Sequence, residues 1–426
     1  MTTEALYQHF LTCTSISTDT RKIEPGSMFF ALKGDHFDAN TFAKEALAKG
    51  AAFVVIDNPD YYENDKMLLV NNSLEALQQL ANFHRKQLGL PIIALTGSNG
   101  KTTTKELIYA VLSSKYITRA TQGNLNNHIG VPLTLLSFTK NTEVGIVEMG
   151  ANHQREIAML CRITEPNFGY ITNFGKAHLE GFGGIEGVIK GKSELYDYLS
   201  ENIKTAFVNL DDPLQKEKTQ NLSRYTFATG TYNCDVRIES TGAGPMAQVG
   251  YNGLLIKSKL IGKYNITNIS AAITIGNYFK VSDRKIKEAI ESYVPANNRS
   301  QIIEKGNKRI ILDAYNANPS SMAAAIDNFS LLQENPKIAL LGDMFELGPE
   351  SNYEHSRIID IMSEKKEIST YFIGKDFYQA KTEKPNLHFY NDYEAFTASF
   401  SGAPDNAAIL IKGSRGMALE RALELL

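Results

Sequence analysis

The stretch ALTGSNGKTTTKE, residues 94–106, decides how the rest of the chain reads. Gly100-Lys101-Thr102 is the close of a phosphate-binding loop, but the glycine that the general pattern wants six positions before the lysine is Leu95. The nearest earlier glycine is Gly97, so the loop is about two residues short of that pattern. Its setting is nevertheless right. PIIAL before it is a run of buried-strand type, and TTTKELIYAVLSS after it is helical. A strand, a glycine turn and a helix put backbone N–H groups and the positive end of the helix dipole where they bind phosphate oxygens. Lys101 would then neutralise β- and γ-phosphate charge, and the Thr102 hydroxyl would ligate Mg²⁺. The plain alternative is a glycine turn that binds nothing. The short form keeps the N–H row from Ser98 to Thr102, and it points away from kinases and switch GTPases that use the longer loop.

Outward from this loop, strand and helix patterns alternate: EVGIVEM, REIAMLCRI, FGYITN, EGVIKGKSELYDYL and TAFVNL. Alternation of this kind signals a parallel sheet with helices on both faces. Residues 235 to 262 read as a β-meander, followed by helices over NISAAITIGNYF and DRKIKEAIESYV. Upstream, GSMFFAL, AFVVID and MLLV are strand runs around a short helix, TFAKEALAKGA. NNSLEALQQLANFHRKQL then predicts a connecting helix, with Asn72 and Glu75 as a capping box and an end at Gly89 before Pro91. Downstream of about Pro295, RIILDAY, KIALLGD, STYFIG, NLHFY and AAILIKG are strand runs separated by helical ones. The expected organisation is α/β in three domains: 1–82, 83–296 and 297–426. A central parallel-sheet ATPase domain with the phosphate loop would be flanked by a smaller N-terminal α/β domain and a Rossmann-like C-terminal one.

Bulk composition bounds the function. A chain of 426 residues is too long for one ordinary core. A formal net charge of −3 carries no basic excess for a nucleic-acid backbone. Cys13, Cys161 and Cys234 are odd in number and far apart, so neither a disulfide framework nor a metal spacing is implied, and a reducing compartment fits. MTTEALYQHF lacks the pattern of a secretory signal, and no apolar window reaches the length of a membrane span.

Several other groups could carry chemistry. Glu148 ends a strand beside the loop strand, where a carboxylate makes a good Mg²⁺ ligand or simply a solvated acid. His178 lies in the glycine-rich TNFGKAHLEGFGG, as a metal ligand or a polar loop residue. Lys190 and Lys192 share a helix whose default reading is a charged face. Asn124, Asn126, Asn127 and His128 form a dense set of amides and a ring. Lys412 and Arg415 in IKGSRGM could meet an anion, and Asn316, Asn318 and Pro319 could be a turn and a helix cap. GFGGIEG at 181–187 resembles a dinucleotide fingerprint, but Glu186 stands where its third glycine belongs.

Together these motifs resemble the Mur ligases of bacterial cell-wall (peptidoglycan) synthesis over essentially the whole chain. The resemblance rests, in order, on STDTR, GSMFFALKGDHFDANTF, TGSNGKTTTKE, GNLNNHIGVPLTLL, EMGANHQREI, TNFGKAHLEGFG, KGKSEL, NLDDP, GKYNITNISAA, DAYNANPSSM, LGDMFELG and IKGSRGM. The short phosphate loop is the family's own. YNANP and LGDM-x-ELG mark the member that joins D-alanyl-D-alanine to UDP-N-acetylmuramoyl-tripeptide. The resemblance implies ATP-dependent amide formation through an acyl phosphate, two Mg²⁺ ions, and a monomer in the cytoplasm.

It also implies residue roles. Gly97, Ser98, Asn99, Gly100, Lys101, Thr102 and Thr103 would hold the ATP phosphates. Asn265 and Asn268 would lie on the adenine side, with Arg299, Asp313 and Tyr315 reaching ATP from the third domain. Thr102 and Glu148 would ligate one Mg²⁺, and His178 with a carbamate on Lys192 a second. Lys101, Glu148, His178 and Lys192 would form the catalytic set. Ser17, Thr18, Asp19, Arg21, Asp38 and Asn40 would face the UDP-sugar in residues 1–82. Asn126 and Asn127 would touch substrate, and Asn316, Asn318, Lys412, Ser414 and Arg415 would border the dipeptide. The chain departs from the family at FDAN (37–40), where FDGH is common, at Gly416, where a serine is common, and before Arg299, where a glycine is usual. The rival functions are a folylpolyglutamate synthase-like ligase and a nucleotide-binding regulator without turnover.

Overall fold

The computed structural model describes residues 1–426 apart from 231, 242–244 and 296–297. Three sheets carry the fold. The first is four-stranded and parallel, in the order Ile16–Ser17, Met28–Phe30, Phe53–Ile56, Met67–Leu69. The helix Ser73–Leu88 follows it. Asn72 caps this helix by accepting the Glu75 N–H at 2.9 Å, and Gly89 ends it at φ 63°, a conformation suited to glycine. Leu77, Leu80 and Ala81 form its buried face. The helix packs on Thr3–Phe10 of the first unit and on Gly130–Leu136 and Glu156–Thr164 of the second. Arg85 donates to the carbonyls of Thr164 and Glu165, which ties the helix to the second unit. A boundary at residue 82 therefore falls inside an unbroken helix that belongs to both units. The boundary expected at 296–297 lies outside the described residues.

The central sheet has seven strands, ordered Val236–Arg237, Ser223–Ala228, Thr205–Asn209, Phe168–Ile171, Ile92–Thr96, Val144–Glu148, Thr118–Ala120. Every pairing is parallel. The loop strand Ile92–Thr96 is buried along its whole length, as a strand covered on both faces must be. It lies between Phe168–Ile171 and Val144–Glu148, so three parallel strands end side by side at the loop. That is where open α/β sheets bind ligands. Of the meander expected over 235–262, Glu239–Ser240, Met246–Tyr251 and Leu254–Ile261 form a separate antiparallel sheet, whereas Val236–Arg237 joins the edge of the central sheet in parallel. Asn252 and Gly253 turn its hairpin at φ 48° and 76°.

The third sheet runs Gln301–Lys305, Lys308–Asp313, Ala408–Lys412, Lys337–Gly342, Ile368–Ile373, Leu387–Tyr390. All its pairs are parallel except the first, an edge hairpin turned at Gly306. The sequence pattern marks every parallel strand here but not Gln301–Lys305, whose side chains are half-buried or exposed. No helix among the described residues is long and apolar enough to cross a membrane.

Candidate active site

The site grows from the loop strand. Gly97 and Gly100 take φ 141° and 78°, values that side chains avoid. A Cβ on Gly97 would strike Thr172 and Asn173, so the loop can lie against the end of the neighbouring strand only as glycine. Asn173 then organises the turn. Its carbonyl accepts the Ser98 N–H at 3.0 Å, and its side chain accepts the Asn99 N–H at 3.1 Å. Two members of the expected N–H row are thus spent on protein. Ser98 and Asn99 line a cavity of about 720 Å³ together with Gly100–Thr103, where the helix Lys101–Ser113 begins. Sequence reading missed Asn173 and Thr172, because it took TNFGKAH only for its histidine.

Lys101 curls over its own loop and donates to the carbonyls of Gly97 at 2.7 Å and Ser98 at 3.3 Å. Burial lowers the pKa of its amine; the Glu148 carboxylate opposes this and the Arg299 charge adds to it. Glu148 pairs in register with Leu95 and is 1 % exposed. Its Oε1 accepts the Thr102 hydroxyl at 3.2 Å and the Asn126 amide at 2.9 Å, while Oε2 is buried with no partner. A buried carboxylate oxygen left unpaired is costly, and a hard divalent cation takes oxygen ligands of this kind. The Thr102 and Glu148 pair therefore suits Mg²⁺.

Lys190 is exposed, as a charged face requires, whereas Lys192 is fully buried one half-turn away. The Lys192 Nζ donates to the Ala151 carbonyl at 3.0 Å and sits 4.9 Å from the centre of the Phe182 ring. Burial pushes its pKa well down, the Lys101 charge adds to the effect, and Glu156 and Glu194 oppose it. It stands behind Ala151 rather than on the cavity wall. His178 does line the cavity, and its Nδ1 pairs with the Glu346 carboxylate of the third unit. That bond holds the Glu346 carboxyl below its usual range against the opposing effect of burial. Among the described residues no three His, Cys, Asp or Glu side chains form a metal-holding group.

The opposite wall comes from the third unit. Arg299, Asp313, Tyr315, Asn316, Asn318 and Lys412 all line the same cavity as Lys101. The Arg299 guanidinium stacks 3.7 Å from the Tyr315 ring centre. Asp313 and Lys412 are register partners on adjacent strands and meet at 2.5 Å. Asn318 is indeed a helix cap, with Ser321 completing a capping box and Pro319 in the first turn. Its amide also crosses to the Asn99 side chain at 2.7 Å. Lys176 makes a further crossing, to Glu354 at 2.5 Å. Residues 83–295 and 298–426 are therefore in contact around the cavity. Asn265 and Asn268 line it from the helix Tyr264–Tyr278, and Thr104 donates to Asn268 at 3.0 Å.

Residues 12–85 match the domain described as "Mur ligase family, catalytic domain", residues 95–276 the Mur ligase middle domain, and residues 298–415 the "Mur ligase, glutamate ligase domain". A UDP-N-acetylmuramoyl-tripeptide–D-alanyl-D-alanine ligase of Bacillus subtilis is 35 % identical over 96 % of this chain and 92 % of its own length. The chain belongs to the Mur ligase family. The Escherichia coli ligase of the same name is 33 % identical to this Mur ligase, over 98 % of this chain and 94 % of its own. A crystal structure of MurF from Acinetobacter baumannii superposes with TM-score 0.86 at 31 % identity, covering 99 % of this chain and 98 % of that one. MurF from Thermotoga maritima in complex with ADP superposes with TM-score 0.85 at 26 % identity, over 98 % and 97 %. The three-domain α/β fold is theirs.

Other expected positions of this Mur ligase lie away from the cavity. Ser414 is buried and accepts the Phe345 N–H at 2.8 Å, and Arg415 is turned outward to Glu420 at 2.6 Å. Neither lines the cavity. Asn127 does line it, although its side chain caps the N–H groups of Ile129 and Gly130. Ser17, Thr18, Asp19, Arg21, Asp38 and Asn40 all sit in the first unit, outside it. Asn40 is fully buried, and its amide is spent on Asp38 at 2.6 Å and on Asp57 at 2.8 Å and 3.0 Å. It supports the Asp38 turn from within a buried network. Arg21 holds the Asp19 carboxyl down to about 2 from an exposed position.

Proposed function

We propose that this Mur ligase joins D-alanyl-D-alanine to UDP-N-acetylmuramoyl-tripeptide at the expense of ATP, completing the pentapeptide precursor of peptidoglycan. The observation that carries the reading is one cavity, walled on one side by Lys101, Thr102 and Glu148 and on the other by Arg299, Asp313 and Lys412. The names of its full-length relatives supply the substrates.

The terminal carboxylate of the tripeptide attacks the γ-phosphorus of ATP in line, giving an acyl phosphate and ADP. The amine of the dipeptide then adds to the acyl carbon, and phosphate leaves with the amide formed. The protein's share is positioning and charge compensation. Gly100–Thr103 and Lys101 hold the phosphates, Asn265 and Asn268 the adenine side, and Arg299, Asp313 and Tyr315 close over the nucleotide. Asn316 and Asn318 border the dipeptide. Ser17, Thr18, Asp19, Arg21 and Asp38 take the UDP-sugar in the first unit. Thr102 and Glu148 would hold one Mg²⁺, and His178 with a carbamate on Lys192 a second. Bound there, Mg²⁺ supplies positive charge against the phosphate oxygens. The buried setting of Lys192, with the Lys101 charge adding to the effect of burial, supports the carbamate, because only a neutral amine captures CO₂: R–NH₂ + CO₂ → R–NH–COO⁻ + H⁺. The three free cysteines fit work in a reducing compartment, the cytoplasm.

The test is a coupled assay with ATP, UDP-N-acetylmuramoyl-tripeptide and D-alanyl-D-alanine. Phosphate release in step with a pentapeptide product of the expected mass is the expected outcome. Absence of both, with all three substrates present, overturns the reading.

A further inference from the structure

Glu148 has one satisfied oxygen and one free oxygen, and the loop after the strand Thr118–Ala120 decides which is which. Asn126 lies on that loop and is fixed from both ends. Its carbonyl accepts the Gly150 N–H at 2.7 Å, and its side-chain nitrogen donates to Glu148 Oε1 at 2.9 Å. Between these two contacts the amide lies flat against Gly150. A Cβ there would stand 2.8 Å from the Asn126 Oδ1 and 3.0 Å from its Nδ2, closer than packed atoms come. Glycine at 150 is thus the condition for the amide to reach Glu148. The Thr102 hydroxyl shares Oε1 at 3.2 Å, and the Thr121 hydroxyl accepts the Glu148 N–H at 2.9 Å. Both donors near the carboxylate converge on one oxygen.

We infer that Asn126, seated on Gly150, is a positioning residue that locks the Glu148 carboxylate with Oε2 presented to the cation accompanying the nucleotide. A carboxylate has two equivalent oxygens and a broad terminal torsion. Donors on one oxygen remove that freedom before the cation arrives, and supports of this kind typically govern metal affinity by roughly 10- to 100-fold. This role differs from the substrate contact expected of Asn126, and it assigns the glycine of EMGAN a function through the residue it accommodates.

The inference rests on the nucleotide reading, so the experiment separates the two. Binding of ADP to the full-length protein is titrated calorimetrically across a Mg²⁺ series and again in EDTA, for wild type, N126A, N126L, G150A and N126A/G150A. Wild type is expected to bind ADP more tightly as Mg²⁺ rises; if it binds no ADP, the nucleotide reading itself falls. The single variants are expected to need roughly tenfold more Mg²⁺ for half-maximal tightening, with EDTA binding and thermal midpoint near wild type. The double variant is expected to match the worse single, because both changes break one contact. Wild-type Mg²⁺ dependence in N126A and N126L overturns the inference. Equal weakening in EDTA also overturns it, since the amide would then touch nucleotide. Additive losses in the double variant overturn the role of Gly150.

Discussion

Lys192 and Lys412 are buried to almost the same degree, 0 % and 2 % exposed, yet they end in opposite surroundings. Lys412 meets the Asp313 carboxylate at 2.5 Å, with the Asn316 carbonyl at 3.3 Å. Lys192 meets a carbonyl and an aromatic face, with no carboxylate in contact among the described residues. Burial by itself disfavours an ammonium ion, and a bonded carboxylate compensates. One lysine is therefore half of an ion pair that ties two strands together. The other is a weakened base with no counter-ion in contact. Depth does not decide the charge state of a buried lysine; the partner does.

The largest expected break in this comparison is chemical. Lys192→Ala should lower turnover by roughly a thousandfold, and added formate or acetate should restore part of it by standing in for the missing carboxylate. The same acids should do nothing for Lys412→Ala. Rescue of both, or of neither, in a phosphate-release assay would erase the distinction.

Stability should divide the pair in the other direction. Lys412→Met leaves Asp313 without its counter-charge and should cost about 3 kcal/mol in urea unfolding. Lys192→Met replaces an uncompensated amine with an apolar chain of similar length and should be neutral to stabilising. Equal losses would mean that Lys192 has a partner of its own.

The pH dependence sharpens the point. The folded-state pKa of Lys192 lies well below its ordinary value of 10.5. Between those two values the unfolded chain binds a proton that the folded chain does not. The site therefore costs stability in full below the depressed pKa, and that cost falls away as pH rises towards 10.5, by up to about 1.4 kcal/mol per unit. In CO₂-free buffer, Lys192→Met should flatten that slope over the window. An unchanged slope would place the titrating group elsewhere.

The smallest effect concerns an ion pair between units. Glu354 has a fully buried side chain, with Lys176 from the central unit and Arg357 from its own helix as partners. Lys176 is 35 % exposed, so solvent screens the pair and Glu354→Gln should cost only about 1 kcal/mol of docking. A larger radius of gyration in solution scattering, with weaker ADP binding as the wall of Arg299, Asp313 and Tyr315 loosens, is the expected signature. An unchanged radius would mean that Asn99–Asn318 and His178–Glu346 suffice to hold the two units together.

Much of this molecule was legible before folding was considered. The strand–loop–helix around Lys101, the parallel alternation and the parallel strands of the third unit follow from period and punctuation. Periodicity reports burial on both faces, and glycine reports backbone geometry. The edge strand Gln301–Lys305 escaped because it carries no such pattern. The buried network of Asn40 with Asp38 and Asp57 escaped for a related reason: a short polar residue in a turn looks alike whether it is exposed or buried. Asn173, Glu346 and Glu354 escaped because their partners are distant in sequence, 74, 168 and 178 residues away.

By itself, then, the sequence determined what is local: which segments are strands, where a phosphate can meet a helix N-terminus, and which family's order of motifs the chain carries. Tertiary structure alone decided what each charged or amide group touches. It buried Lys192 without a counter-ion and Lys412 with one, aimed Asn126 at Glu148, and set His178 against Glu346. Backbone geometry follows from neighbouring residues, whereas the electrostatic state of a side chain follows from whatever the fold brings beside it.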